Sequence, residues 1–299
     1  MNEDYLEKKL SVIKKIARWI IGAKKDETIK DCINRKKSKL LKFFYKKKYG
    51  SNDIKDALVK LGIEEGDNII VHSSYREFYN FTGTPNDIID LLKEIIGDNG
   101  TLLMPAYGNS MEYFDVKKSK SKAGVISECF RKELGVIRSE CSNFSIAAYG
   151  KNAEKYTKEH YKSSYGFDEF SPYYKLANGE KGKVLMFGLG KYPVKNTIFH
   201  FAGFLLKDQL DIFRDLLSEH YDAIVVNNAG KQCHRKMITR GNKYRNSSSK
   251  MKKIFKLIPE ENRKHIKISN LNIVVYDAKV ALDTSIKAAY NGITIYKNI

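Results

Sequence analysis

At 299 residues, 42% of them apolar and 12% aromatic, the chain can bury a sizeable core as one large domain or two small ones. It has no uninterrupted apolar run of about 18 residues, which excludes a membrane-spanning helix. Its four cysteines, Cys32, Cys129, Cys141 and Cys233, lack the paired spacing of a disulfide framework or a zinc site. The opening segment MNEDYLEKKL has neither the basic start nor the apolar core of a signal peptide, so a cytoplasmic location is expected. The formal charge of +19 is concentrated: roughly +10 falls in residues 1–50, roughly +11 in 231–268 and about −2 in the remainder. A nearly neutral body with two basic segments does not point to nucleic acid.

In chain order, residues 5–21 read as a basic amphipathic helix, with Leu6, Leu10, Ile13, Ala17 and Ile20 on one face. Residues 35–48 are again basic, with Leu40, Leu41, Phe43 and Phe44 set among lysines. Residues 1–50 are therefore expected to form a helical extension, either packed on the body or lying on an anionic membrane surface. The remaining 51–299 form the main domain. Its signals alternate: a helix over 53–61, a strand over 68–72, a helix over 87–96 opened by Thr84-Pro85, and a strand over 101–104. That βαβ unit predicts an α/β layered fold. Further strands are expected at 183–187, 223–226 and 272–275, and a last helix over 278–290. The stretch 228–268 lacks apolar periodicity before Met251 and reads as a basic loop or insertion leading into a short helix.

Three places could carry chemistry. The loop His72-Ser73-Ser74-Tyr75-Arg76 follows a parallel-type strand, where open sheets bind ligands, and its hydroxyls and amides suit a phosphate or pantetheine chain; a polar turn capping the next helix is the bland alternative. Glu128 and Arg131 are helical neighbours suited to an ion pair, and Arg138-Ser139 lies at a strand end where a guanidinium could face an anion. His200 opens an apolar helix, a place where a lone histidine is more often structural than catalytic.

The succession VHSS, GTLLMPAY, FD followed by a serine, GVISECFR, GVIRS, SIAAYG, SPYYKL, GKVLMFG and NTIFH resembles the antibiotic (aminoglycoside 3-N-) acetyltransferase family. The likeness runs collinearly from about residue 52 to about 210 and weakly over 268–297. It implies a three-layer α/β/α sheet fold of the antibiotic N-acetyltransferase type, and a cytoplasmic enzyme moving an acyl group from acetyl-CoA or another acyl-CoA to an amine on a sugar, without a metal. The resemblance puts the catalytic base at His200, coenzyme contacts at Ser73, Ser74, Pro105 and Tyr107, and the acceptor side at Asp115, Arg138 and Ser139. Two positions depart from the family. Gly203 stands where the family has a glutamate three residues after the histidine, and Cys141 stands where it has a second histidine. Glu128 is the carboxylate then expected to orient His200.

Transfer is expected to be direct, with His200 taking the amine proton and no acyl-enzyme. The missing glutamate and the basic 231–268 segment favour a nucleotide-linked amino sugar for surface polysaccharide synthesis over a polycationic aminoglycoside. Antibiotic resistance is the alternative within the class. A degenerate family member that binds a membrane surface or nucleic acid is the alternative outside it. Peripheral membrane contact through residues 1–50 is one further expectation.

Overall fold

The computed structural model describes residues 16–23, 29–241 and 243–297, and the chain divides into two compact units, 1–48 and 49–299. Of the helix expected over 5–21, residues 16–20 are helical and residues 1–15 lie outside the described part. The first unit holds helix α1, Ile29–Phe44. Cys32 is fully buried, its thiol donating to the Ile21 carbonyl oxygen at 3.2 Å.

The larger unit is built on a seven-stranded sheet of order β4-β5-β2-β1-β6-β10-β9. Its centre is β1 (Asn68–Ser73), flanked in parallel by β2 (Thr101–Pro105) and β6 (Gly182–Phe187). These strands are apolar on both faces, as parallel strands covered by helices must be. Ile70, Leu103, Val184 and Met186 point into one core, and Ile69, Val71, Leu102, Leu185 and Phe187 into the other. Two separate cores on one sheet make the fold three-layered, α/β/α. The outer strands β4 (Ile137–Arg138), β5 (Ile146–Gly150), β9 (Arg263–Ile268) and β10 (Leu271–Asp277) pair antiparallel.

Local chemistry explains the crossover. Between β1 and β2 runs a helix, Pro85–Ile96, whose start is a reciprocal cap. The Thr84 hydroxyl accepts from the Asp87 amide, and the Asp87 carboxylate accepts from the Thr84 amide at 2.6 Å. Pro85 sits where the first turn tolerates it, and Ile88, Leu91, Leu92 and Ile96 face the sheet.

A second sheet of three strands joins β3 (Tyr113–Asp115), β7 (Glu219–Val226) and β8 (Gln232–Thr239). Here the structure differs from the reading of 228–268 as a basic loop or insertion leading into a short helix: the helix is present, but a strand precedes it and another follows it. Residues 232–239 form the outer strand of a hairpin, 248–257 a helix opened by a Ser247 cap, and 263–268 strand β9. The inward positions of β8 are Cys233, Arg235 and Met237, a thiol, a guanidinium and a thioether in place of β-branched residues. Hydropathy alternation is invisible in such a set, although the pleat is present.

Candidate active site

Because β2 and β6 both run parallel to β1 and lie on opposite sides of it, the carboxyl ends of all three open at one edge, the place where doubly wound sheets form a crevice. The loops there are pinned closely. Gly188 has φ +69°, and a side-chain carbon at it would come within 2.8 Å of the Glu77 Cβ and 3.0 Å of the Ser74 carbonyl oxygen. The Ser74 amide donates to the Phe187 carbonyl oxygen at 2.9 Å, so the turn after β1 is tied to the end of β6. Ser73 and Ser74 are half-buried, Pro105 is buried at the end of β2, and Tyr107 just beyond is half-buried.

Aromatic rings join these loops to His200. Tyr107 meets Phe144 edge-on at 5.6 Å between ring centres, and Phe144 lies 4.2 Å from Phe167. Phe167 stacks on His200 at 4.7 Å and 12°. On the β1 side, His72 stacks against Tyr173 at 5.8 Å. Burial, with the charge of Lys195 adding to it, pushes the His72 imidazole down to about 4.

His200 itself is only 8% exposed. It ends the turn Ile198–His200 and opens the short helix Phe201–Leu205. Its Nδ1 is buried without a hydrogen-bond partner among the described residues. Burial first, and then the positive charge of Arg240, push its pKa down to about 3, so the ring is neutral at physiological pH. Gly203 lies one helical turn on. A side-chain carbon there would meet the Leu216 Cδ2 at 2.7 Å and the Tyr296 hydroxyl at 3.3 Å. Tyr296 therefore fills the room that a longer side chain at 203 would need. Its buried hydroxyl makes no hydrogen bond of good geometry, although the Arg240 guanidinium, 6.0 Å from its ring centre, is near enough to act on it as a donor, and its ring lies 6.4 Å from that of His200.

Glu128 does not join this group. Its carboxylate binds Arg131 at 2.7 Å through both oxygens, Lys132 at 2.9 Å and the Ser121 amide at 2.6 Å. Burial would raise its pKa, but these hydrogen bonds outweigh burial and bring it down to about 2. The residue expected to orient His200 thus has its oxygens fully engaged elsewhere.

Arg138 and Asp115 are likewise committed to the backbone. The Arg138 guanidinium is buried over the Phe114 ring and donates to the carbonyl oxygens of Ala106, Val116 at 2.9 Å and Ser119 at 2.7 Å. Asp115 Oδ1 accepts from the amides of Lys117 and Lys118 at 2.9 and 2.8 Å. Together they fix the end of β2 against the loop after β3. Ser139 is buried and bonded to His160 Nδ1 at 2.8 Å while accepting from the Ile146 amide. Cys141 is buried too, its thiol donating to the Asn143 carbonyl oxygen at 3.0 Å, and burial pushes it up to about 12, so it is inert as a nucleophile.

Sequence reasoning missed Tyr296, Arg240, His160 and Phe167. Phe167 had a local signal. The Asp168 carboxylate accepts from the Ser163 hydroxyl and the amides of Ser164, Tyr165 and Phe170, a turn that aims Phe167 at His200. Among the described residues no three His, Cys, Asp or Glu side chains gather as metal ligands.

The family model described as aminoglycoside 3-N-acetyltransferase matches residues 70–288. Aminoglycoside N(3)-acetyltransferase IV of Salmonella sp is 32% identical over 155 residues, covering 50% of this chain and 57% of that protein. The SPbeta prophage-derived aminoglycoside N(3')-acetyltransferase-like protein YokD of Bacillus subtilis (strain 168) is 28% identical over 186 residues, 54% of this chain and 67% of its own length. The chain thus spans between about half and two thirds of these relatives. Among solved structures, AAC(3)-Xa superposes with a TM-score of 0.70 at 18% identity, covering 87% of this chain and 99% of its own. AAC-IIIb in its binary complex with CoASH gives 0.69 at 21% identity, covering 84% and 100%. Both likenesses bear on the fold, and with the family match across most of the chain they lead to one conclusion: this chain belongs to the aminoglycoside 3-N-acetyltransferase family.

Proposed function

We propose that this chain is an acyl-CoA-dependent N-acyltransferase that carries an acyl group from CoA to an amine of an amino sugar, with His200 as general base. The observation that carries the reading is His200 itself, a neutral imidazole joined to the turn after β2 through the rings of Phe167, Phe144 and Tyr107, with a buried nitrogen that no described residue satisfies. Other buried atoms share this state, His160 Nε2 among them, and the NTIFH motif of the family resemblance is what singles out His200. A neutral imidazole is the form that accepts a proton, and because the burial that keeps it neutral also weakens it as a base, bound substrate has to stabilise its charged form.

In this reading the acceptor amine attacks the thioester carbonyl while His200 takes its proton. The tetrahedral oxyanion is met by the hydroxyls of Ser73 and Ser74, and the CoA thiolate leaves. Ser73, Ser74, Pro105 and Tyr107 form the coenzyme side, consistent with the CoASH complex of AAC-IIIb. Asp115, Arg138 and Ser139 shape the acceptor wall through the backbone they hold. The orienting role, which a carboxylate at 203 would otherwise play, we assign to the Tyr296 hydroxyl, acting on Nδ1 directly or through one water.

For the acceptor we take an aminoglycoside first, because the relatives above carry that substrate in their names. None of them supports the nucleotide-linked sugar expected from the charge map. One observation keeps it as a second reading: Arg240 beside His200 and Lys195 beside His72 are cations, which suit a pyrophosphate, although the phosphates of CoA suit them equally.

The test is thiol release from acetyl-CoA by wild type and His200→Ala, with kanamycin and with UDP- and dTDP-linked amino sugars as acceptors. Release with kanamycin alone upholds the first reading, and release with an amino-sugar nucleotide alone upholds the second. Retention of most of the rate in His200→Ala would overturn the base assignment. A protein that CoA fails to stabilise thermally would return the chain to the class of binding proteins.

A further inference from the structure

We propose that the first unit docks on an anionic lipid bilayer through the apolar row of helix α1. Ile29, Ile33, Leu40 and Phe44 follow one another at spacings of four and seven and so share one stripe of the helix, with Phe43 at its margin. Ile33, Leu40, Phe43 and Phe44 are 52%, 62%, 74% and 69% exposed, whereas the buried side chains among the described residues of the helix are Cys32 and Ser38. The apolar stripe is thus turned outward, with Lys36 set in it between Ile33 and Leu40. An exposed row of large apolar side chains marks an interaction surface.

The charge around it chooses the occupant. Residues 29–48 hold nine lysines and arginines against a single aspartate, and Lys36, Lys37 and Lys39 stand exposed on and beside the stripe. Three more exposed lysines, Lys46, Lys47 and Lys48, follow the helix. A second copy of the same face would set these charges against each other, and a nucleic acid backbone would leave Phe43, Phe44 and Leu40 in water. A bilayer with anionic headgroups satisfies both, taking the rings and aliphatic side chains at the acyl boundary and the ammonium groups at the phosphates. Trp19 in the same unit is 83% exposed beside Ile16 and Ile20, an amphipathic ring suited to that boundary. No described helix is long and apolar enough to cross the bilayer, so the mode is surface docking.

Trp19 is the only tryptophan of the chain, which makes it a native reporter. The experiment mixes the full chain with phosphatidylcholine vesicles, with and without phosphatidylglycerol, and reads Trp19 emission and co-sedimentation. Expected are a blue shift and sedimentation with phosphatidylglycerol present, both lost at high salt. The triple variant Lys36→Gln, Lys37→Gln, Lys39→Gln should weaken partitioning on the order of 100-fold. The double variant Leu40→Ser, Phe44→Ser should abolish the shift while its thermal melt stays that of wild type. Equal binding to neutral vesicles, no binding to either kind, or unaltered binding of both variants would overturn the proposal. So would Trp19 emission that is already blue without lipid and varies with protein concentration, the signature of a second copy on this face. A shift with polyglutamate and none with vesicles would assign the surface to an acidic protein and likewise overturn it.

Discussion

Two groups of buried polar side chains in the larger unit are in opposite states. Around Arg138 the hydrogen bonds close: its guanidinium reaches three carbonyl oxygens, Asp115 holds two amides, and Glu128 is bound by Arg131, Lys132 and Ser121. Around His200 they do not: the His200 Nδ1 is buried and unpartnered, and the buried Tyr296 hydroxyl makes no hydrogen bond of good geometry. Satisfied polar groups rigidify the walls of a crevice, and orphaned ones are what it offers to a ligand. The charged residues that look most functional in the sequence are thus tied into the scaffold, and the group proposed as reactive is a histidine in an apolar setting.

The largest effect that tests this contrast is on catalysis. His200→Ala should lower kcat/KM for acyl transfer by about 10²–10⁴-fold, with little loss of stability, since an unsatisfied nitrogen leaves with the ring. Arg138→Met should do the reverse. It strands three carbonyl oxygens in the interior and should cost about 3 kcal/mol of folding stability, a fall of roughly 10 °C in Tm, read by calorimetry. Arg138→Lys should recover only part of this, because an ammonium cannot span the fork. A catalytic defect in Arg138→Met at full stability would dissolve the distinction between the two groups.

The legibility of the sequence divides along the same line. The β1–helix–β2 unit was readable because its strands are continuous apolar runs and its helix starts on Thr84, Pro85 and Asp87, all local signals. The family resemblance likewise singled out His200 and Gly203 within a few residues of each other. Strand β8 was not readable, because Cys233, Arg235 and Met237 form its inward row. The group proposed to orient His200 was not readable either. Tyr296 comes from the far end of the chain, where packing of the last helix, Ala278–Tyr290, returns the segment to the short helix after His200. Glu128 was the natural sequence-based choice for that role, and only the positions of Arg131, Lys132 and Ser121 show its oxygens taken.

A smaller effect sharpens the assignment of Tyr296. Tyr296→Phe keeps the ring that packs beside Gly203, Phe213 and Tyr244 and removes a buried hydroxyl that makes no hydrogen bond of good geometry. Stability should hold or rise slightly, since a buried donor without an acceptor is lost. If that hydroxyl orients the imidazole, kcat should fall about 10-fold with KM for acetyl-CoA unmoved, the size of one hydrogen bond made in the transition state. An unchanged kcat would leave His200 without an orienting group among the described residues.

The smallest effect is a displacement on the pH axis. Burial and the Arg240 charge both disfavour the imidazolium form of His200, holding its pKa at about 3. The base is therefore unprotonated above that value, and the acid limb of kcat/KM should lie well below the ordinary histidine range. Arg240→Gln removes the repulsive charge but not the burial. Imidazolium then costs less, the pKa rises, and the acid limb moves toward neutral pH by on the order of half a unit. The rate on the plateau should stay near wild type, because the neutral ring is the working form in both proteins. A limb that moved down would mean that Arg240 acts through the substrate, for instance by pairing with a phosphate, and not through His200. A limb that did not move would place the titrating group elsewhere, with His72 the next candidate, since burial and Lys195 hold it at about 4. Repeating the profile in Lys195→Gln would tell the two imidazoles apart.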